Sequence, residues 1–449
     1  MSRHPAWRSS FVSIATLAVL LHACGGGSVT DGPSGPVVPV DTTKTPVVQR
    51  GKVSVRVAID PADATLASTA GIGVSGLTVR LTSSRPGEPV RTAVTAADGT
   101  ASFDNLLEAI YTASVDRTLT TTELARLAPG DRDASVFAGG AQVTLTPPAT
   151  QSMDVLLVGA RRGSVVISEI FANYGPLGTG SNNYVYGSYI ELYNNSDTTA
   201  YLDGMLLVDT PPLWHAGDVT TARCNQVPGS LRLDSAAVYS GLILQFPGSG
   251  RDYPIRPGEA KVVAMDAMNH MTAAPEKEQV DLSHAQFEQF FTEADIDNPE
   301  AVNLSRAYGS GTGIFGRGFG YFSASDEHVL LSREARTTLT EITYTAPGAS
   351  ASTTMARLRS EYILDLIAVE YSPLAPGFSV NEVNFPRCTP WTSARYDRSP
   401  APLLSGIERK AISRRSLGRT ADGREILQRT RNSERDLVLA EPLRRSLNK

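Results

Sequence analysis

The chain has 449 residues and a formal net charge of −5 at pH 7, with 7% aromatic and 19% charged residues. That length holds two or three domains, and frequent Gly/Pro turn signals with few long helical patterns point to a mainly β protein. Charge is uneven: Ala401 to Lys449 carries 12 Lys/Arg against 6 Asp/Glu, a balance of +6 that leaves −11 elsewhere. Glu259 to Glu300 holds ten acidic residues against Lys261 and Lys277. A basic end of this size solvates a terminus or faces an acidic patch of the same protein, so no nucleic-acid partner is expected.

The N-terminus reads as an export signal. Arg3, His4 and Arg8 precede the apolar run Phe11 to Leu21, which suits a signal h-region and is too short to span a bilayer. Leu21-His22-Ala23-Cys24, followed by Gly25-Gly26-Gly27, resembles a bacterial lipobox, although His22 departs from the small or branched residue usual there. The resemblance implies that residues 1–23 are a lipoprotein signal peptide and that Cys24 becomes the acylated mature N-terminus. The protein would then be exported and lipid-anchored to the bacterial outer membrane, at its periplasmic face or on the cell surface. Gly25 is not Asp, so nothing argues for inner-membrane retention. Acyl chains anchor firmly because each buried CH₂ contributes about 0.8 kcal/mol. The alternative is an ordinary secretory signal with a stray cysteine. Residues 24–50, rich in Gly, Pro and Thr, read as a disordered tether.

Over 51–160 the pattern is that of strands. Val53, Val55, Val57 and Ile59 alternate with Ser54, Arg56 and Ala58, and Leu77, Val79 and Leu81 repeat the period. Asp98-Gly99 predicts a hairpin, because Gly supplies positive φ freely. Tyr111 to Val115 and Met153 to Val158 follow as strands, with a polar insertion over 118–140. The run Asp98-Gly99-Thr100-Ala101-Ser102-Phe103-Asp104-Asn105-Leu106 and the Tyr111 strand resemble the carboxypeptidase-regulatory-like (prealbumin-like) β-sandwich. Glu108-Ala109-Ile110 stands where that family usually turns on Pro-Gly. The resemblance implies a spacer or adhesive module rather than an activity.

Arg161-Arg162-Gly163 marks a boundary, and 161–440 reads as a second β-sandwich with loop insertions, ahead of a basic tail at 441–449. Val165 to Phe171 leads to Tyr189-Ile190-Glu191-Leu192-Tyr193, with Ile190, Leu192 and Tyr193 as core positions and Asn194-Asn195-Ser196-Asp197 as a turn. With Leu202-Asp203-Gly204-Met205, this order resembles a lamin-tail-like immunoglobulin sandwich, Met205 standing where Trp is common. Asp266-Ala267-Met268-Asn269-His270, Asp281-Leu282-Ser283-His284-Ala285-Gln286-Phe287-Glu288, Asp422-Gly423-Arg424 and Asn432 to Asp436 sharpen the match. They resemble the bacterial lipoprotein family catalogued as domain of unknown function 4876, a lamin-tail relative. The fold expected is therefore two immunoglobulin-like or prealbumin-like β-sandwiches in tandem behind a tether.

Several groups could carry chemistry. Asp266 and His270, and likewise His284 and Glu288, are four residues apart, which on a helix places each pair on one face and could ligate a divalent metal. The plainer reading has Asn269-His270 capping a turn while Asp266 serves backbone donors. Asp295 and Asp297 lie in an acidic loop that could hold Ca²⁺, but Pro299 sits where a calcium loop wants Gly. Phe315, Phe319 and Tyr321, in a glycine-rich stretch without a GK[ST] ending, could stack on sugar or peptide or simply plug the sandwich. After acylation of Cys24, Cys224 and Cys388 are two thiols in an oxidising compartment, and a disulfide between them is expected rather than two separate buried thiols.

No G-x-S-x-G or H-E-x-x-H occurs. The expectation is a non-catalytic, cofactor-free, lipid-anchored envelope protein that binds a protein, glycan or outer-membrane transporter. The alternative is a metal-binding protein or metal-dependent hydrolase using Asp266, His270, His284 and Glu288.

Overall fold

Alternation decides how the first unit closes. Val53, Val55 and Val57 of β1 (Gly51–Ile59) are buried, while the residues between them are at least partly exposed. The computed structural model describes residues 48–128, 135–160, 163, 165–171, 186–210, 236–273, 280–289, 297–309, 327–345, 352–370, 396–397, 401–402, 410–443 and 446–447. Six further strands join β1: β2 (Thr78–Ser83), β3 (Arg91–Val94), β4 (Thr100–Leu106), β5 (Ala109–Thr118), β6 (Val136–Leu145) and β7 (Thr150–Ala160). Their order is β3-β2-β5-β6-β7-β1-β4, with β1 parallel to β7 and antiparallel to β4. The sheet folds over one core that includes Val55, Val79, Phe103, Tyr111, Phe137 and Leu157.

Asp98-Gly99 turns the chain as expected but makes no hairpin. Gly99 has φ +81°, and the Asp98 carboxylate accepts from the Thr100 amide at 3.0 Å and hydroxyl at 2.7 Å. Yet β3 pairs with β2, and β4 pairs with β1. The turn carries the chain from one half of the sandwich to the other. Gly is required there on a second count, since a Cβ at position 99 would lie 2.4 Å from the Val57 carbonyl oxygen. The polar insertion contains α2 (Thr121–Arg126), held by a capping box between Thr120 and Glu123, and the start of β6. A first helix, α1 (Ala64–Ala70), precedes β2.

The second unit is three sheets deep. β8 (Val165–Phe171) and β9 (Tyr189–Asn194) are buried at every residue, as strands covered on both faces must be. They lie centrally in a seven-stranded sheet with Ala260–Ala264, Phe287–Glu288, Val302–Asn303, Ala411–Arg414 and Leu437–Ala440. A six-stranded sheet stacks on it, containing Leu206–Thr210, Glu327–Leu331 and Ile363–Glu370. Leu207, Leu330 and Ile367 of that sheet meet Ile167, Ile190 and Leu192. Their neighbours Leu206, Val329 and Leu366 point the other way, onto Val238 and Leu358 of a three-stranded sheet. Period-two apolar side chains thus serve two cores at once.

The outer face of the seven-stranded sheet is covered too. Phe171, Tyr189 and Val262 pack under Val280, Leu282 and Ala285. Tyr193 is buried on this outer side, with Val166 and Leu427, rather than in the core of Ile190 and Leu192. Described residues beyond 440 return to the sheet: Leu443 donates its amide to Glu169, Ser446 donates to Gln286 at 2.9 Å, and Leu447 packs on the Phe171 cluster. Asp203 of the Leu-Asp-Gly turn pins a loop by accepting from the amides of Gly250, Asp252 and Tyr253 at 2.8–2.9 Å.

A hairpin joins the two units. Its strands, Ser416–Arg419 and Glu425–Leu427, bring Leu417 and Ile426 against Val136, Ala138, Val158 and Ala160. Its base is held by Asn195, whose side chain exchanges two 3.0 Å hydrogen bonds with Leu427. Backbones touch closely here: a Cβ at Gly140 would lie 3.2 Å from the Leu417 carbonyl oxygen. Gln49–Lys449 forms one compact unit.

Candidate functional site

The segments holding Asp266, His270, His284 and Glu288 do meet, but as a turn network. Helix α3 (His270–Ala273) begins at His270, so Asp266 lies ahead of it and the four-residue spacing spans a turn. The His270 ring is buried, with Nε2 2.9 Å from the Asp266 carbonyl oxygen. Burial lowers its pKa, opposed by that hydrogen bond and by the charge of Asp281. Asn269 bridges to Asp281, its amide donating to the carboxylate at 2.9 Å.

Glu288 locks the network from the sheet side. It is fully buried, and its two oxygens accept from the amides of Ala267 at 3.0 Å and Asn298 at 3.1 Å. Asn298 in turn donates to the carbonyls of Ala267 and Ser283 at 2.7 and 2.9 Å. His284 is exposed on the turn before this strand. The alternative set of four metal ligands is not brought together, because Glu288 points into the fold and serves backbone donors while His284 faces out. Among the described residues, no three His, Cys, Asp or Glu groups lie where they could hold a metal ion. Asp297 accepts from Asn303 at 2.8 Å. Asp295, Phe315, Phe319, Tyr321, Cys24, Cys224 and Cys388 lie outside the described residues.

Sequence reasoning attached no role to the charged centre of the second unit. Arg414, 2% exposed, donates to Asp365 at 2.7 Å, to Asp436 at 3.3 Å and to the Ile167 carbonyl at 2.8 Å. Arg429 donates to the other oxygen of Asp365 at 2.9 Å. Burial opposes the Arg414 charge, but Asp365 and Asp436 overcome it and hold the guanidinium protonated. The group ties β8 to the Ile363–Glu370 strand and to α4 (Ser433–Asp436), the segment that carried the family resemblance. Its spacing in sequence offers no signal, since Asp365 and Arg414 are brought together only by the sheets.

Arg435, adjacent to Asp436, turns from this centre to the other unit. Its Nη2 lies 2.9 Å from Asp60 and 2.7 Å from Asp63, ahead of α1. Beside the ion pairs is a cleft of about 350 Å³ between α1 and α4, lined by Asp63, Thr65, Leu66, Leu127, Asn432 and Arg435 among others. Both units supply polar side chains to this cavity.

Comparison with known proteins bears on the second unit. Residues 256–442 match the model of a family described as protein of unknown function (DUF4876). The Asp266 to Glu288 turn network and the Arg414 centre fall inside that span. No curated protein matches the chain. Among solved structures, a DUF4876 family protein from Bacteroides thetaiotaomicron is similar at 16% identity, covering 89% of this chain and 97% of that one, with a TM-score of 0.48. A DUF3823 family protein from Parabacteroides merdae is similar at 12% identity over 47% of this chain and 99% of that one, with a TM-score of 0.16.

Proposed function

We propose that the chain is a non-catalytic, lipid-anchored protein of the cell envelope, which holds two β units off the outer membrane to bind a protein, glycan or transporter partner. The observation that carries this reading is the joint between the units. The hairpin at 416–427, its apolar contact and the Arg435 ion pairs make the pair one body, which suits presentation of a fixed surface rather than a hinged reaction cycle. Glu288 and Asn269 are engaged in structural hydrogen bonds, which supports a non-catalytic reading over a metal-dependent hydrolase. The tether at 24–50 and the lipobox supply the anchor. Among the described residues no helix is long and apolar enough to cross a membrane. Expression with labelled palmitate tests this: the native chain should take up label and sediment with membranes, and Cys24→Ala should do neither. Equal retention of both forms overturns the anchor.

A further inference from the structure

We propose that the cleft between α1 and α4 binds a neutral, hydroxyl-rich molecule of monosaccharide size. This goes beyond the reading above, since it assigns a small-molecule site and does not depend on how the chain is anchored. The cleft volume of about 350 Å³ lies within the range of small-molecule pockets, and junctions between folded units are where such pockets occur most often.

The chemistry of its walls narrows the ligand. Asp63 is 8% exposed; its Oδ2 accepts from Arg435 at 2.7 Å and from the Gly159 amide at 3.1 Å, and its Oδ1 has no hydrogen bond among the described residues. Asn432 uses Oδ1 to accept from the Arg435 amide at 3.1 Å, which caps α4, and its Nδ2 donors are unused among the described residues. Arg435 engages Asp60 and Asp63 through Nη2 alone. The Thr65 hydroxyl is likewise without a bond among the described residues, only its carbonyl being engaged, by Ser68 and Thr69. One small cavity therefore offers a fixed acceptor and several donors. Hydroxyl groups both donate and accept, so a polyol matches this mixed set where a pure donor or acceptor does not. Charge selects in the same direction. An anion drawn to Arg435 meets Asp60 and Asp63, and a cation drawn to Asp63 meets the guanidinium. Leu66 and Leu127 add apolar surface for the CH face of a ring.

Calorimetric titration of the full chain in detergent tests the proposal, with glucose, galactose and N-acetylglucosamine as neutral probes and lysine and sulfate as charged ones. At least one sugar should bind saturably, and neither charged probe should. Asn432→Asp keeps the oxygen that caps α4 and removes the amide donor, while Thr65→Tyr fills the cleft from α1. Each should weaken sugar binding roughly tenfold or more, equivalent to about 1.4 kcal/mol, with the melting temperature unchanged. The proposal is overturned if no sugar binds, if lysine or sulfate binds instead, or if sugar binding survives both substitutions. Membrane retention through Cys24 is read separately, so failure here leaves that result intact.

Discussion

His270 shows how little a residue's type says about its role until its neighbours are known. Its spacing from Asp266 was legible as proximity, and the two do touch, but through a backbone carbonyl rather than a shared ligand. The pairing of His284 with Glu288 was not realised, because one faces solvent and the other the interior. Burial lowers the His270 pKa, against the Asp266 carbonyl and the Asp281 charge, and that has a pH consequence. An unfolded histidine titrates near 6.5, so below that value the unfolded chain takes up a proton that the folded chain resists. The contribution of neutral His270 is complete above about pH 6.5 and is lost as pH falls from there towards the lowered folded value. Chemical denaturation at roughly pH 7.5 and 5.5, either side of the ordinary histidine range, should show a larger acid loss for the native chain than for His270→Gln. Equal losses would place the acid sensitivity in other groups.

At the scale of elements, local signals set the strands and turns correctly, and partners were chosen by contacts distant in sequence. Val53 to Ile59 and Tyr111 to Val115 alternate visibly and became β1 and β5. Asp98-Gly99 is a true turn, but hairpin pairing depends on which strands already flank β3 and β4, and these were β2 and β1. The continuous burial of β8 and β9 follows from a third layer that no window of sequence reveals. Val280, Leu282 and Ala285 form one such cover, and Glu288 fastens it through Ala267 and Asn298. Replacing Glu288 by Ala strands the buried amide of Ala267 and releases the part-buried amide of Asn298. A buried orphaned donor costs about 1–3 kcal/mol, so Glu288→Ala should lose roughly that much through Ala267. Hydrogen exchange should show the loss as faster exchange over 265–288. Unchanged exchange there would mean that the apolar contacts of Val280, Leu282 and Ala285 hold the cover alone.

For the whole molecule, the joint that the hairpin at 416–427 makes with the strands of 51–160 was not legible in the sequence. Ala138 and Leu417 meet through the fold alone, and neither the hairpin's short strands nor its Gly423 turn announces a partner so distant in the chain. Arg435 adds a charged contact on the same side, reaching Asp60 and Asp63. If this joint is what makes the two units one body, introducing a charge into it should separate their unfolding without dismantling either core. Leu417, 5% exposed against Val136, Ala138, Val158 and Ala160, is the position to use. An unpaired carboxylate there must be solvated or protonated, and either outcome opens the contact. The native chain should melt in one calorimetric transition. Leu417→Asp should melt in two, with the cluster of Val55, Phe103 and Phe137 retained in one and that of Ile167, Leu207 and Ile367 in the other. A single transition at the native temperature would show that the hairpin contributes nothing to coupling, and a single lowered transition would show that the two units cannot fold apart.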